Sequence, residues 1–292
     1  MHASVAAARP APILTSVERT IVETASLENV RGTIDQLIAG GPRAASSDAY
    51  RAAAELMVGT LASYGWDARI ESVSRSALHE AKHGAATLYN VVADRKGTAP
   101  DAQRQLVIAG AHLDTVPEGV GANDNSSGAA TLLEAARVLG SVPMANDVRL
   151  LWFDGEEQGL LGSRARVNSG SDELARTKVM LNADMLASKE QPGFDPGTNT
   201  PQADIDRMHA IGRKAGIELE QRGPSGSGDH FSYDQAKVPS FYLGVSEQGA
   251  YSDPNYHQPS DTVANMDTVA LGQWTKLLPL SIYDYAGAGT AH

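Results

Sequence analysis

Residues 106–113 read LVIAGAHL, residues 126–139 read SSGAATLLEAARVL, and residues 148–154 read VRLLWFD. The first and third stretches are apolar throughout rather than alternating, which is typical of strands covered on both faces of a sheet. The middle stretch repeats its apolar residues at the spacing of an amphipathic helix. Strand, helix and strand in this order indicate a mainly parallel sheet.

The same alternation continues towards the end of the chain. KVMLNADML (178–186) and PSFYLGV (239–245) are predicted strands, and IDRMHAIGRKAG (205–216) is a predicted helix. A last helix is predicted over NMDTVALGQWTKLL (265–278), with a break or kink near Pro279. We therefore predict the α/β class, as a three-layer α/β/α sandwich around a mainly parallel mixed central sheet.

Residues before 106 predict a helical N-terminal segment and two strands. Apolar residues recur at helical spacing over residues 16–39 and again over 48–64, where Ser47 is a candidate N-cap. Strand-like runs follow at 66–74 and 88–94. We expect one domain over residues 1–292, made of a helical segment at about 16–65 and a core at about 85–285. His79, His83 and His209 have no partner pattern and are expected at the surface.

Composition excludes several classes of function. The 292 residues carry a net charge of −11, which argues against nucleic acid and anionic membranes as main partners. The chain has no cysteine, so disulfides and thiolate metal sites are excluded. No apolar run approaches the roughly 18 residues of a membrane span. The first residues, MHASVAAARPAP, form no intact signal peptide. We interpret them as the trimmed start of a secreted or periplasmic chain, and we expect a monomer.

Imidazole and carboxylate side chains follow the predicted strands. His112 comes after LVIAGA, Glu156 and Glu157 after LLWFDG, Asp184 after VMLNA, and His257 in the loop after FYLGV. In an open α/β sheet, sites form beyond the carboxyl ends of the strands. Imidazole and carboxylate are the ligands that zinc accepts when no thiolate is available. The pattern therefore predicts a two-zinc hydrolase.

Two aspartates near His112 have alternative interpretations. Asp114 points to the same side of the strand as His112, so it either hydrogen-bonds the histidine ring or is part of a structural pair. Asp124, in GANDNSSG, either bridges two cations or caps the following helix. Asn125 starts a glycosylation sequon, which we discount because a glycan there would block the proposed site.

The remaining candidates are a glutamate pair, a tyrosine and an Asp-His pair. One of the two adjacent glutamates, Glu156 and Glu157, can bind metal while its neighbour serves as a base. The alternative is a solvated acidic turn, which the apolar residues on either side disfavour. The hydroxyl of Tyr256 either donates a hydrogen bond to a developing oxyanion or only packs. Asp229 and His230 are expected to order a loop or to line the cleft.

Together these stretches resemble a known family. HLDTV, GANDNSSGAATLLEAARVL, WFDGEEQGLLGS, NADM, SGDHF and YHQPSDT are similar, in this order and spacing, to motifs of the co-catalytic zinc aminopeptidases of the bacterial leucyl-aminopeptidase type. These enzymes are zinc-dependent exopeptidases, and the resemblance covers roughly residues 85–285. It implies a metallo-aminopeptidase with two Zn²⁺ ions per chain, acting on peptides with a free N-terminus.

The resemblance also implies a ligand for each position of the metal site. His112 and Asp184 would hold one zinc ion. Glu157 and His257 would hold the other, and Asp124 would bridge the two. Each of these roles is an expectation based on the similarity of the motifs.

Catalytic roles follow from the same resemblance. Glu156 would be the general base and acid, working with a metal-bridging hydroxide. Asp114 would orient His112, and Tyr256 matches a tyrosine that stabilises the transition state in some members. Related enzymes have a non-proline cis peptide after the bridging aspartate, so we predict one between Asp124 and Asn125.

Three alternatives remain, and one departure from the family limits the prediction. Related dizinc carboxypeptidases insert a lid domain of about a hundred residues, for which the stretch from Asp184 to His257 is too short. Glutaminyl cyclases share the fold, and a non-catalytic binding relative is the third alternative. Some family members carry an arginine where this chain has Ser227, so the preferred substrate residue is not implied.

Overall fold

The structure of the protein is a computed structural model that describes residues 13–74, 87–169, 171–188 and 191–290. The start of the chain, on which the interpretation as a trimmed secreted protein rests, lies outside these residues, as do His79 and His83. The helices are α1 Ser16–Thr24, α2 Leu27–Ile38, α3 Asp48–Ser63, α4 Gly128–Leu139, α5 Leu161–Ser169, α6 Ser171–Arg176, α7 Gln202–Lys214, α8 His230–Gln235, α9 Glu247–Ser252 and α10 Thr268–Ala286. The strands are β1 Asp67–Ser74, β2 Thr87–Arg95, β3 Leu106–His112, β4 Asp147–Phe153, β5 Thr177–Asp184, β6 Gly193–Pro196, β7 Glu220–Gln221 and β8 Ser240–Gly244.

The strands form one eight-stranded sheet in the order β1-β2-β4-β3-β5-β8-β6-β7. The four central strands, β4, β3, β5 and β8, run parallel to one another. At one edge β1 and β2 are antiparallel, and at the other β6 runs antiparallel to β8 and parallel to β7. The predicted mixed, mainly parallel sheet is confirmed.

Helices cover both faces of the sheet. On one face, Ala109 and Leu150 belong to a core that they share with residues of α1–α4, α7 and α10. On the other face, their chain neighbours Ile108 and Leu151 belong to a second core with residues of α5, α6 and α8. Because consecutive strand residues point to opposite faces, both faces need apolar side chains. The three-layer arrangement is confirmed.

The N-terminal helices pack into the larger of the two cores. Val30 of α2 and Met57 of α3 belong to the same buried cluster as Leu132 of α4 and Leu277 of α10. The extent of a single domain over residues 1–292 stays a prediction. In the described part of the chain, no helix is both long and apolar enough to cross a membrane.

The predicted helix over 16–39 is wrong in one respect, because two helices occupy this range. Its break lies at Ala25 and Ser26, and Ser26 caps α2 by accepting a hydrogen bond from the N–H of Asn29. The buried Glu134 of α4 accepts from the backbone N–H of Ser26 at 2.7 Å and from the Asn29 side chain at 3.2 Å. A residue more than a hundred positions away thus fixes the break. The periodicity of the segment itself does not predict it.

Of the break or kink predicted near Pro279, the break is wrong, because α10 continues to Ala286, and the kink stays a prediction. Proline costs about 3 kcal/mol inside a helix, since it removes one backbone donor and crowds the preceding turn. In α10 the residues around Pro279, among them Leu278 and Leu280, are fully buried in the larger core. Burial of this segment outweighs the local preference to end the helix.

Candidate active site

The polar residues that follow the predicted strands come together at one edge of the sheet. His112 is the last residue of β3, and Asp184 is the last residue of β5. Glu156 and Glu157 follow β4, and His257 lies in the loop beyond β8 and α9. Because β4, β3 and β5 are parallel neighbours, their carboxyl ends meet and place these side chains side by side.

The carboxylate of Asp124 lies between the two histidines. Its Oδ1 is 3.2 Å from Nε2 of His112, and its Oδ2 is 3.2 Å from Nε2 of His257. Oδ1 of Asp184 lies 3.3 Å from the same His112 nitrogen, and Oε2 of Glu157 lies 3.0 Å from that of His257. Two groups of three candidate ligands therefore share Asp124, and the ligand atoms of each group lie within 4.8 Å of one another.

A tight turn before α4 presents Asp124. The peptide bond between Asp124 and Asn125 is cis, which confirms the prediction. Asn125 is fully buried and donates to the carbonyl of Ala183 at 2.9 Å, so it is not available to a glycan. Its Oδ1, rather than the Asp124 carboxylate, accepts the hydrogen bond from the N–H of Gly128 at the start of α4. The carboxylate of Asp124 is therefore left to face the histidines.

Asp114 connects the first histidine with the glutamate pair. Its side chain is fully buried, and its two oxygens accept hydrogen bonds from the backbone N–H groups of Glu156 and Glu157 at 3.2 and 3.3 Å. Nδ1 of His112 lies 3.1 Å from the Asp114 carbonyl oxygen and 3.5 Å from its carboxylate. Asp114 thus fixes the turn that carries both glutamates as well as the His112 ring.

The site carries more negative than positive charge. Burial, and next the charge of Asp124, raise the pKa of Glu157 to about 7. Burial also raises the pKa of Glu156 well above its ordinary value and raises the pKa of Asp184, although the charge of His112 opposes both shifts. These directions reflect the free-energy cost of ionising several buried carboxylates next to one another.

The two histidines are correspondingly favoured in their charged forms. Hydrogen bonds to Asp124 and Glu157 raise the pKa of His257 to about 10. Burial lowers the pKa of His112, but the charges of Asp184 and Glu156 outweigh it, so the pKa lies well above its ordinary value. An environment that favours a proton on imidazole also favours another cation between the same atoms.

The donor set fits zinc. Both groups offer imidazole nitrogen and carboxylate oxygen, which zinc binds in tetrahedral sites with open positions. Oε1 of Glu157 is buried and has no hydrogen-bond partner in the structure. A buried carboxylate oxygen without a donor is costly unless a cation compensates it. The residues present are therefore compatible with divalent cations in both groups.

Tyr256 lies directly against His257. The two rings stack with centroids 3.8 Å apart and an interplanar angle of 23°, and the rings of Tyr251 and Tyr256 meet edge-on at 5.7 Å. Burial raises the pKa of Tyr256 above its ordinary value, so its hydroxyl remains a donor at neutral pH. Packing and hydrogen-bond donation, the two interpretations from the sequence, are both compatible with this position.

The cleft over the cluster has an apolar and aromatic wall. The wall is formed by Met185, Tyr242, Ala250, Tyr251 and Tyr256. Ser227, which occupies the position where some related enzymes carry arginine, lines the cleft together with Gly228. The described residues that line this cleft include carboxylates but no lysine or arginine. The lining therefore combines carboxylates with apolar and aromatic side chains.

Asp229 and His230 are fully buried next to the cleft. The His230 ring meets Tyr242 edge-on at 5.4 Å, and burial lowers the pKa of His230 to about 4, which keeps it neutral. Burial raises the pKa of Asp229 to about 7, against the charge of His112. Among the described residues, neither belongs to a candidate ligand group, which agrees with a role in ordering the loop.

Two buried charged residues of this region were not predicted from the sequence. Asp261 accepts hydrogen bonds from the backbone N–H groups of Asn123 and Asp124 at 2.8 and 3.0 Å. Its place in the YHQPSDT stretch, just after His257, was the available signal. Arg43, in the turn before α3, contacts the loop after β3, and no local pattern distinguishes it from a surface arginine.

The chain is similar to curated aminopeptidases. The probable lipoprotein aminopeptidase LpqL of Mycobacterium tuberculosis is 32% identical over 276 residues, which cover 83% of this chain and 54% of that protein. Aminopeptidase YwaD of Bacillus subtilis is 34% identical over 186 residues, which cover 61% of this chain and 41% of that protein. The chain thus spans about half the length of the curated relatives it matches.

Solved structures share the fold. The aminopeptidase from Aneurinibacillus sp. strain AM-1 superimposes with a TM-score of 0.79 at 19% identity, over 93% of this chain and 97% of that chain. The glutaminyl cyclase of Porphyromonas gingivalis superimposes with a TM-score of 0.75 at 19% identity, over 90% and 99%. The fold alone therefore does not decide the reaction. Residues 90–280, more than half of the chain, match the sequence profile of peptidase family M28, and the protein belongs to that family.

Proposed function

We propose that the protein is a zinc-dependent aminopeptidase that removes the first residue of peptides with a free N-terminus, and that it holds two zinc ions. The observation that carries the proposal is the Asp124 carboxylate, whose two oxygens each face a histidine of a different ligand group. Membership of a peptidase family and similarity to curated aminopeptidases support a peptide substrate.

Five residues would hold the metal. His112 and Asp184 would hold one zinc ion, Glu157 and His257 the other, and Asp124 both. Bound zinc supplies Lewis-acid chemistry, since it lowers the pKa of water and polarises a carbonyl group.

Glu156 is the proposed general base and general acid. It lines the cleft next to the ligand residue Glu157, and Asp114 holds its backbone in place. The Glu156 carboxylate would accept a proton from the attacking water and hold it until the amine departs. One carboxyl then transfers the proton to the leaving group, and no second acid is required.

Tyr256 and Asp114 assist without taking the proton. The Tyr256 hydroxyl donates a hydrogen bond to the carbonyl oxygen as negative charge develops on it. Asp114 is a positioning residue, because its carboxylate binds the N–H groups of Glu156 and Glu157 and contacts His112. The geometry of base, ligand and first histidine therefore depends on one buried side chain.

The charge of the cleft favours an amino terminus over a carboxyl terminus. An exopeptidase that acts on C-termini must bind a carboxylate, for which arginine or lysine is the usual partner. The described lining of this cleft has neither, whereas the carboxylates proposed to hold zinc can still accept hydrogen bonds from a substrate amino group. The stretch between Asp184 and His257 is occupied by β6–β8 and α7–α9, which leaves no room for a lid domain of about a hundred residues.

The proposal is tested by mass spectrometry of short peptides incubated with zinc-loaded protein, with and without a chelator. One peptide begins with Leu, a second with Gln, and a third is the Leu peptide with an acetylated N-terminus. We expect stepwise, chelator-sensitive loss of residues from the first two and no loss from the acetylated peptide. Glu156→Gln protein is the matched inactive control.

Other outcomes of the same experiment would contradict the proposal in distinct ways. Loss from the C-terminus would show a carboxypeptidase. Loss of ammonia from the Gln peptide alone would show a glutaminyl cyclase, the activity of one neighbour in fold. No change in any peptide, with zinc bound, would point to a narrow substrate range or to a non-catalytic relative.

We further propose that the protein acts outside the cytoplasm and as a monomer. Similarity to a protein named a probable lipoprotein aminopeptidase supports the first statement. Fractionation of cells producing the native chain, followed by immunoblotting, tests the location, and retention in the cytoplasm would contradict it. Light scattering after size exclusion tests the oligomeric state against the chain mass of 30.7 kDa.

A further inference from the structure

We infer that Arg43, which lies outside the residues that match the family profile, is a positioning residue for the metal site. Its buried guanidinium joins the two ends of the loop that carries His112 and Asp124. The inference rests on the zinc site of the proposed function.

The side chain of Arg43 binds the loop at three places. Nε donates to the carbonyl of Leu113, the residue after His112, at 3.0 Å. Nη2 donates to Oγ of Ser126, two residues after Asp124, at 2.7 Å. Nη1 donates to the carbonyl of Val120, between these two ends, at 3.2 Å. One planar group thus fixes the first part, the middle and the last part of the loop relative to one another.

Further hydrogen bonds anchor Arg43 itself. Nη1 also donates to the carbonyl of Leu37, in the last turn of α2, at 3.1 Å. The backbone N–H of Arg43 donates to Oγ1 of Thr115 at 2.9 Å, and the N–H of Thr115 donates to the Arg43 carbonyl at 3.1 Å. The N-terminal helical segment therefore holds the loop from a fixed position.

Arg43 is 1% exposed, so these bonds replace water around a full positive charge. Burial lowers the pKa of Arg43 to about 10, which leaves it charged at neutral pH, and the charges of Asp114 and Asp261 stabilise that form. Both carboxylates bind backbone N–H groups of the site, at Glu156 and Asp124 respectively. The cation is thus compensated by the residues that order the site.

The loop has little room to change without moving Asp124. A Cβ atom at Gly121 would lie 2.2 Å from the Asp124 carbonyl oxygen, and Oγ of Ser126 donates to the Gly121 carbonyl at 2.6 Å. Lysine keeps the charge of Arg43 but has three donors and no planar fork, so it cannot reach the same four oxygens. A change at Arg43 therefore alters the distance between His112 and Asp124.

The test compares Arg43→Lys with Arg137→Lys. Arg137 is a matched control, because it also ties the N-terminal helices to α4, through the carbonyl of Thr24 at 2.6 Å, but does so away from the loop. Zinc affinity is measured by competition with a chromophoric chelator, and the visible spectrum of the Co²⁺-loaded protein reports ligand geometry. We expect Arg43→Lys to bind zinc roughly 10- to 100-fold more weakly, with an altered cobalt spectrum. Arg137→Lys should match the wild type in both.

A folded Arg43→Lys protein with wild-type zinc affinity and cobalt spectrum would overturn the inference. If Arg43→Lys does not fold, Ser126→Ala is the deciding variant. It removes the hydrogen-bond partner of Arg43 that is nearest to Asp124 and keeps the positive charge of Arg43. Weaker zinc binding by Ser126→Ala supports the inference, and unchanged binding overturns it. Failure of the wild type to bind zinc would instead refute the metal site of the proposed function.

Discussion

The candidate active site and a second charged cluster lie on the same sheet, and only in the second cluster do positive and negative side chains balance. The second cluster, here called the arginine network, connects β1, β2 and β4 with α5 and α6. It consists of Arg69, Glu71, Asp94, Arg149, Arg166 and Glu173. Each carboxylate of the network bonds two arginines, whereas the carboxylates of the active site share two histidines.

The pKa values of Asp94 in the network and Glu157 in the active site move in opposite directions. Burial would raise the pKa of Asp94, but hydrogen bonds and charges of Arg149 and Arg69 lower it below its ordinary value. Burial raises the pKa of Glu157 to about 7, because no arginine compensates it. In the arginine network, arginines of the chain itself compensate the carboxylates. In the active site, the excess negative charge remains available to bind a metal cation.

The largest expected effect is that of Glu156→Gln. The amide is nearly the same size but cannot accept a proton, so kcat/KM should fall by about 10²- to 10⁴-fold. Peptide hydrolysis is measured together with bound zinc, which should remain at the wild-type level because Glu156 is not a proposed ligand. Loss of zinc along with activity would contradict its role as base.

Addition of zinc to metal-free protein should have the next largest effect. A ligand present at a thousand times its dissociation constant stabilises the folded state by about 4 kcal/mol. The melting temperature should therefore rise by on the order of 10 °C. Differential scanning fluorimetry with chelator and then zinc measures the shift. Asp124→Asn should lose most of it, because one carboxylate serves both groups, and an undiminished shift in that variant would exclude Asp124 as the shared ligand.

The dependence of stability on pH should have opposite signs for Glu157 of the active site and Asp94 of the network. Glu157 binds a proton more tightly in the folded metal-free protein, with a pKa of about 7 against an ordinary value of 4.5. The contribution of Glu157 to the free energy of unfolding is therefore present below about pH 4.5 and is lost as the pH rises to 7. The contribution of Asp94, whose pKa is lowered from 3.8, is present above that value and is lost as the pH falls through its folded pKa.

Between pH 5 and 7, the free energy of unfolding of the metal-free protein should fall by on the order of 3 kcal/mol. His257 adds to this direction above pH 6.5, because its stabilising contribution is lost progressively between pH 6.5 and its folded pKa of about 10. Urea unfolding in the presence of chelator measures the profile. Glu157→Gln should flatten it, and a wild-type profile that rises with pH would contradict the charge imbalance.

The sequence predicted the central sheet because its strands are apolar throughout and its crossover helices are strongly periodic. The strand-end rule then predicted that His112, Glu157 and Asp184 lie together, as the structure shows. Short elements such as β6 and α9 were not predicted, since four to six residues carry too little periodicity. The direction of the Asp124 carboxylate depends on a turn held by Asp261, a contact between distant segments.

Arg43 shows why part of the site has no local signal. Its neighbours in sequence form an ordinary turn, and its contacts are with residues around 113–126. The break at Ser26 has the same origin, because Glu134 of α4 determines it. The features that the sequence pattern did not predict are therefore those determined by contacts between distant segments.

The smallest expected effect is that of Glu173→Gln in the arginine network. Glu173 accepts hydrogen bonds from both Arg149 and Arg166. Replacing its carboxylate by an amide therefore removes a negative charge that compensates two arginines. We expect a loss of about 1–2 kcal/mol in the free energy of unfolding, reduced at high salt, with kcat/KM unchanged. Glu55→Gln is the matched control, since its bond to Arg51 is long and exposed and should contribute almost nothing. A fall in activity for Glu173→Gln without loss of stability would show that the two clusters are coupled. That result would contradict the view that the arginine network serves stability and the active-site charges serve function.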